Sequence, residues 1–274
     1  MSPTRRTERR PLGRRRVSSA AGLALLLASA TACANDVPEA NWSQGLLPDS
    51  VTKQGETVTN LWNGAWIAAL ATGLVVIVLI IWACVFHRRR KTSAELPPQV
   101  RYNLPIEILY TLVPLVMVSV FFYFTARDET EILKTSAAPA VTVHVEGFQW
   151  SWRFTTTAGG KTARVVGMPV SDYKAAQAPE LVLPVKSQVQ FKLDADDVIH
   201  SFWVPAFMFK RDVIPGISGE KNKFEITTLD KPGTYAGRCA ELCGVDHSRM
   251  LFRVKLVSQA EFDQYMTTQA GSPQ

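Results

Sequence analysis

A run of 23 residues without a charge, Gly64 to Phe86, sets the first constraint on the fold. As a helix it would extend about 35 Å, enough to cross the hydrocarbon core of a bilayer. His87-Arg88-Arg89-Arg90-Lys91 follows at once, which by the positive-inside rule puts that end in the cytoplasm and the chain before Gly64 outside. Trp66 and Trp82 stand near the two ends, where interfacial aromatics concentrate. After a short loop with Pro97, Pro98 and Pro105, a second apolar run from Ile106 to Phe124 returns the chain to the outer side. These spans, 64–86 and 106–124 within the segment 63–126, form a helical hairpin. It holds too little polarity for a channel, so its apolar faces must pack against lipid or a larger membrane partner. Cys84 within the first span reads as a small hydrophobe.

Seven arginines between Arg5 and Arg16, less Glu8, amount to +6, the whole formal charge of the chain. They precede an apolar run from Ala20 to Ala32 that is too short to span a bilayer, the pattern of a cleaved export signal over residues 1–32. What remains is near neutral, so the basic balance gives no argument for a nucleic-acid partner. Ala30-Thr31-Ala32-Cys33 resembles a bacterial lipoprotein cleavage site, with Ala30 where Leu is preferred, and would leave Cys33 lipidated at the new N-terminus. Ordinary cleavage near Ala32, leaving Cys33 a plain thiol, is the alternative. Residues 33–62 read as a polar external lead-in.

The outer segment, residues 127–274, has a strand-like pattern. Val141, Val143 and Val145 alternate with Thr142, His144 and Glu146, as in a half-buried strand that leaves His144 solvated. Phe148 to Phe154 alternates aromatic and polar residues as one further strand, and Gly159-Gly160 marks a turn. Leu181 to Leu193, Lys223 to Leu229 and Leu251 to Val257 supply more strands, with Pro232-Gly233 between the last two. Ser258 to Gln269, polar with Phe262 and Met266, reads as a terminal helix. The expected fold is a two-helix transmembrane hairpin followed by an all-β, cupredoxin-like Greek-key sandwich.

Cys239-Ala240-Glu241-Leu242-Cys243-Gly244-Val245-Asp246-His247-Ser248-Arg249-Met250 places two thiols, an imidazole and a thioether within twelve residues. Soft sulfur and borderline nitrogen donors suit copper, and two thiolates four residues apart could bridge two copper ions. The alternatives are a Cys239–Cys243 disulfide, whose short loop contributes little, and zinc, which rarely recruits Met.

The pattern Cys-x-Glu-x-Cys-x-x-x-His-x-x-Met resembles the binuclear copper A motif of cytochrome c oxidase subunit II. The distant His200, in Asp197-Val198-Ile199-His200-Ser201-Phe202-Trp203, completes it, and the resemblance runs over about residues 55–268. It implies two copper ions held by His200, Cys239, Cys243, His247, Met250 and the backbone carbonyl of Glu241. The Glu241 side chain would point to a Mg or Mn site shared with subunit I; read alone, it is equally a solvated loop carboxylate. In Gly147-x-Gln149-Trp150-x-Trp152 the resemblance makes Trp150 the point where electrons enter, with Gln149 and Asp197 in a docking surface for cytochrome c. Read alone, Trp150 is a core residue. Residues 125–274 hold 17 acidic and 17 basic side chains, so bulk charge does not mark an acidic docking face. Pro105-Ile106-Glu107-Ile108-Leu109-Tyr110-Thr111 resembles the segment whose Glu lies at the mouth of the K proton channel. A glutamate snorkelling to the interface is the alternative for Glu107.

The resemblance implies subunit II of a bacterial haem–copper oxidase in the plasma membrane, working with subunits I and III. Electrons would come from a soluble cytochrome c or from a membrane-bound c-type cytochrome in a supercomplex. They would pass to haem held only by the partner subunit, where oxygen is reduced to water and protons are pumped. No Cys-x-x-Cys-His occurs, so this chain carries no c-type haem attachment motif of its own. A quinol oxidase subunit II would share the hairpin and sandwich but lack the copper ligands. A membrane-tethered copper carrier or chaperone would use Cys, His and Met but need neither Glu107 nor the Gly-x-Gln-Trp-x-Trp stretch.

Overall fold

The computed structural model describes residues 47–88, 101–170, 178–217 and 219–270. The expected export signal, Cys33, the lead-in up to residue 46 and Arg89-Arg90-Lys91 lie outside the described residues.

Two helices come first, α1 (Lys53–Phe86) and α2 (Leu104–Ile132), both long and apolar enough to cross a membrane. Each overruns the expected span on its outer side. α1 begins at Lys53, well before Gly64, because Thr52 caps it there, with Oγ1 accepting the Gly55 N–H at 3.0 Å. The residues around that cap belong to the outer domain's packing. Val51 N–H donates to the Ala206 carbonyl, the Val51 carbonyl accepts from Leu229 N–H, and the Thr52 hydroxyl donates to the Phe207 carbonyl. At its far end α2 continues to Ile132, and a linker then enters the sandwich. Buried Glu225 fastens that linker by accepting from both the N–H and the hydroxyl of Ser136, at 2.9 and 2.8 Å.

Ten strands follow. They are β1 (Val141–Phe148), β2 (Ser151–Ala158), β3 (Lys161–Val166), β4 (Glu180–Pro184) and β5 (Gln188–Ala195). After these come β6 (His200–Val204), β7 (Phe209–Val213), β8 (Lys223–Thr227), β9 (Gly233–Cys239) and β10 (Leu251–Val257). They form two five-stranded sheets, ordered β3-β2-β1-β5-β8 and β4-β10-β9-β6-β7. The β1–β5 and β10–β4 pairs are parallel and the rest antiparallel, so the chain crosses between sheets as a sandwich requires.

Two expected strands are each broken in two. Phe148 to Phe154 is a hairpin, because Gln149-Trp150 forms a two-residue turn with Phe148 opposite Ser151. Leu181 to Leu193 divides at Val185-Lys186-Ser187, where Lys186 adopts φ 54°. His144 is not simply solvated, since its Nε2 lies 2.5 Å from Asp194 Oδ2.

The core between the sheets is aromatic. Phe202 stacks on Phe252 at 4.8 Å, Phe191 on Phe224 at 4.8 Å, and Trp152 meets Phe252 edge-on at 5.4 Å. Such rings bury large apolar areas in fixed relative orientations. A final helix, α3 (Gln259–Ala270), opens on a capping box in which Ser258 and Glu261 bond reciprocally, and it lays Phe262 and Met266 into the core.

Gly237 on β9 faces this core, and a Cβ there would lie 2.1 Å from Phe252 Cε2. G237A should therefore destabilise the chain by about 1–3 kcal/mol through overpacking. Thermal unfolding followed by near-UV circular dichroism should show a lowered midpoint; an unchanged midpoint would contradict this account of the core.

Candidate metal centre

β6 and β9 are paired so that Phe202 lies opposite Cys239, which brings His200 at the start of β6 beside the end of β9. The chain leaves β9 at Cys239, loops through Cys243, makes a single 3-10 turn at His247–Arg249 and enters β10 after Met250. Backbone bonds close this loop: Cys239 N–H to the Met250 carbonyl at 3.1 Å, and Ala240 N–H to the Ser201 carbonyl at 3.0 Å. Arg249 pins the turn, with Nε donating to the Val170 carbonyl at 2.8 Å and a guanidinium nitrogen 3.0 Å from Asp246.

The donor atoms converge. Cys239 and Cys243 are free thiols with sulfurs 3.8 Å apart, so the disulfide alternative does not describe this loop. His200 Nδ1 lies 4.0 Å from Cys239 Sγ and His247 Nδ1 lies 3.5 Å from Cys243 Sγ. The Glu241 carbonyl oxygen is 3.2 Å from Cys239 Sγ, and Met250 Sδ is 3.8 Å from Cys243 Sγ. His200 and Met250 are wholly buried and the two cysteines nearly so. Each sulfur thus has one imidazole and one weaker donor beside it. That even division suits two thiolate-bridged copper ions, whereas a single tetrahedral zinc would leave Met250 and the carbonyl unused.

The thiols differ in acidity. Despite burial, hydrogen bonds from His200 and from neighbouring backbone pull Cys239 down to about 7. Burial and the adjacent Cys239 charge push Cys243 up to about 12.

Asp197 stands behind His200. Its Oδ1 accepts from His200 Nε2 at 2.9 Å and from Val198 N–H at 2.6 Å, and its Oδ2 accepts from Gln149 N–H at 2.6 Å. Burial opposes ionisation, but these bonds outweigh it and hold the carboxyl below its ordinary range. For His200, burial works against the charged form, while its contacts with Cys239 and Asp197 raise its pKa overall. Gln149 and Trp150, at the tip of the β1–β2 hairpin, both donate to the Cys243 carbonyl, through Nε2 at 2.9 Å and indole Nε1 at 3.0 Å. Trp150 is half-buried. Two glycines admit this packing: a Cβ on Gly147 would lie 2.9 Å from the His200 ring, and one on Gly244, at φ 127°, would lie 2.8 Å from Trp150 Nε1.

Eight of the expected site residues therefore gather in one place: His200, Cys239, Glu241, Cys243, His247, Met250, Gln149 and Trp150, with Asp197 bonded to two of them. The Glu241 side chain is exposed and accepts from Leu242 N–H at 3.1 Å. Glu107 lies elsewhere, in the first turn of α2, where Oε1 accepts the Asn103 N–H at 3.0 Å. About 38 Å of helix separates it from Ile132. The motif did not reveal Arg249 as the anchor of the loop, and its i,i+3 spacing from Asp246 was the one available signal.

Comparison with known proteins identifies the family. The family model described as cytochrome c oxidase subunit II, periplasmic domain, matches residues 141–257. A probable cytochrome c oxidase subunit 2 of Streptomyces avermitilis is 45% identical over 299 residues, covering 97% of this chain and 91% of its own length. Cytochrome c oxidase subunit 2 of Mycobacterium tuberculosis is 33% identical, covering 93% of this chain and 82% of its own. The crystal structure of the periplasmic domain of subunit II of cytochrome oxidase from Bradyrhizobium japonicum is 28% identical. It covers 49% of this chain and 96% of its own, with a TM-score of 0.42. The chain belongs to the cytochrome c oxidase subunit 2 family.

Proposed function

We propose that this chain is the electron-accepting subunit of a membrane-bound cytochrome c oxidase, with a binuclear copper A centre in its outer domain. The sulfur pair 3.8 Å apart with an imidazole on either flank carries the reading. His200, Cys239, Cys243, His247, Met250 and the Glu241 carbonyl would hold two copper ions, which would supply one-electron transfer. The chain's own residues provide the conditions for this. His200 and Met250, both at 0% exposure, exclude water from one side, and strands β6, β9 and β10 hold the donors on a rigid frame. A carrier or chaperone must release its metal, and ligands this deeply buried argue against that role.

Trp150 is the proposed point where electrons enter from a cytochrome c, soluble or membrane-bound, because its indole is half-exposed and bonded to the Cys243 carbonyl. The acceptor is haem in subunit I, where oxygen is reduced and protons are pumped. The Glu241 carboxylate is exposed, as a ligand to a Mg or Mn ion at that boundary would need to be. The apolar side chains exposed along α1 and α2 would pack against subunits I and III and lipid of a bacterial plasma membrane, with the sandwich outside. Residues 1–32 are proposed as a cleaved signal and Cys33 as the lipidated residue.

Loading requires both sulfurs as thiolates, so binding must release protons. Copper titration of the reduced full-length chain against a chromophoric chelator should give two coppers per chain. Between the two thiol pKa values, about 7 and about 12, one proton leaves Cys243 on binding. Apparent affinity should then rise at least about tenfold per pH unit above pH ~7, with His200, whose pKa is raised, releasing a further proton at the lower end of that range, and more steeply below it. One copper per chain, or an affinity flat in pH, would count against the centre as drawn.

Glu107, near the cytoplasmic end of α2, is the proposed mouth of the K proton channel. E107Q in the assembled oxidase should slow turnover roughly tenfold or more and leave the copper spectrum unaltered. Unchanged turnover would remove Glu107 from the proton path and leave it a helix cap.

A further inference from the structure

Asp197 is exposed, yet its carboxylate accepts three hydrogen bonds from within the chain, and these bonds and the sulfur contacts beside them close a circuit. From Cys239 Sγ the circuit runs to His200 Nδ1, across the ring to Nε2, and on to Asp197 Oδ1. The other carboxylate oxygen takes the Gln149 N–H, and the Gln149 and Trp150 side chains donate to the Cys243 carbonyl. Cys243 Sγ then faces Cys239 Sγ, 3.8 Å away. Three separate stretches of chain are thereby joined at one carboxylate: the β1–β2 turn, the start of β6 and the cysteine loop.

We propose that Asp197 is a positioning residue for the metal centre, fixing the His200 tautomer and tying the two ligand loops together through the Gln149-Trp150 turn. This rests on the copper reading given above. The tautomer follows from donor and acceptor counting. A carboxylate can only accept, so His200 Nε2 must carry the proton. In the neutral ring, the form a metal ligand must take, Nδ1 is then bare with its lone pair on the Cys239 side; only in the charged ring does Nδ1–H donate to Cys239. The role is separate from docking, since these three bonds hold the carboxylate whether or not a partner is bound.

Asparagine at this position cannot reproduce the pattern. If its oxygen stays on His200, its amide NH₂ meets the Gln149 N–H, donor against donor. If it flips, the NH₂ meets Nε2, and the ring must move its proton to Nδ1, where it blocks the metal. Both orientations break the circuit.

The test uses the full-length chain. Nitrogen-15 NMR of the metal-free protein should show His200 protonated at Nε2; a bare Nε2 would overturn the proposal, and this reading depends on no variant folding. D197N should bind copper about 10- to 100-fold more weakly and alter the nitrogen hyperfine coupling from His200. D196N is the control: exposed Asp196 lies 3.7 Å from Arg153 and outside the circuit, and its substitution removes the same surface charge. It should leave affinity and spectrum unaltered. Equal effects of D197N and D196N would overturn the positioning role and return Asp197 to surface electrostatics. A wild-type chain that takes up no copper would instead defeat the copper reading, while the tautomer in the metal-free protein would still decide the role of Asp197.

Discussion

The centre depends on the register between β6 and β9. Only two residue pairs define it, Phe202 opposite Cys239 and Trp203 opposite Arg238. A slip of one residue would turn every side chain of β6 to the opposite face, taking His200 away from the sulfurs and Phe202 out of the core. The aromatic core prevents that slip. Phe202 contacts Trp152, Phe154, Phe191, Phe224 and Phe252, so the strand carrying His200 is fixed by rings from both sheets. Trp152 also lies beside the His200 ring, at 6.1 Å, and its indole N–H donates to the Met250 carbonyl. Core packing and ligand placement are therefore one problem here. A rigid core gives rigid donors, as the proposed copper pair would require.

The same economy governs how the helices join the sandwich. Neither α1 nor α2 ends in a loose connection among the described residues. Val51, buried with the core residues, and Thr52 are bonded to the segment after β6. Glu225 holds the linker after α2, with Gln190 donating to the Ser136 carbonyl. The proposed relay would need a fixed distance to its acceptor. Polar bonds that are buried, and therefore costly to leave unpaired, are a direct way to fix it.

Much of this was legible from the residue pattern. The apolar runs marked both helices, Val141-x-Val143-x-Val145 marked β1, and the cysteine–histidine–methionine spacing marked the donor cluster. At particular positions tertiary contacts override the local pattern. Alternating aromatics from Phe148 to Phe154 look like one strand, but the pattern cannot show that Gln149-Trp150 turns back to meet the Cys243 carbonyl. The unbroken run from Leu181 conceals a left-handed residue at Lys186, which carries none of the usual glycine signal. Helix lengths were underestimated because hydropathy measures the bilayer, whereas Thr52 and the linker contacts determine where the helices begin and end. Asp197 was visible as an acid three residues before a ligand; that its oxygens face inward could be learned only from the fold.

The central claim is that this chain holds its two thiols and two imidazoles for a pair of metal ions acting as one redox unit. Electron paramagnetic resonance of the copper-loaded full-length chain tests it most directly. One unpaired electron coupled equally to two copper nuclei, with nitrogen coupling from both histidines, is the expected spectrum. A spectrum with hyperfine structure from a single copper nucleus would contradict it.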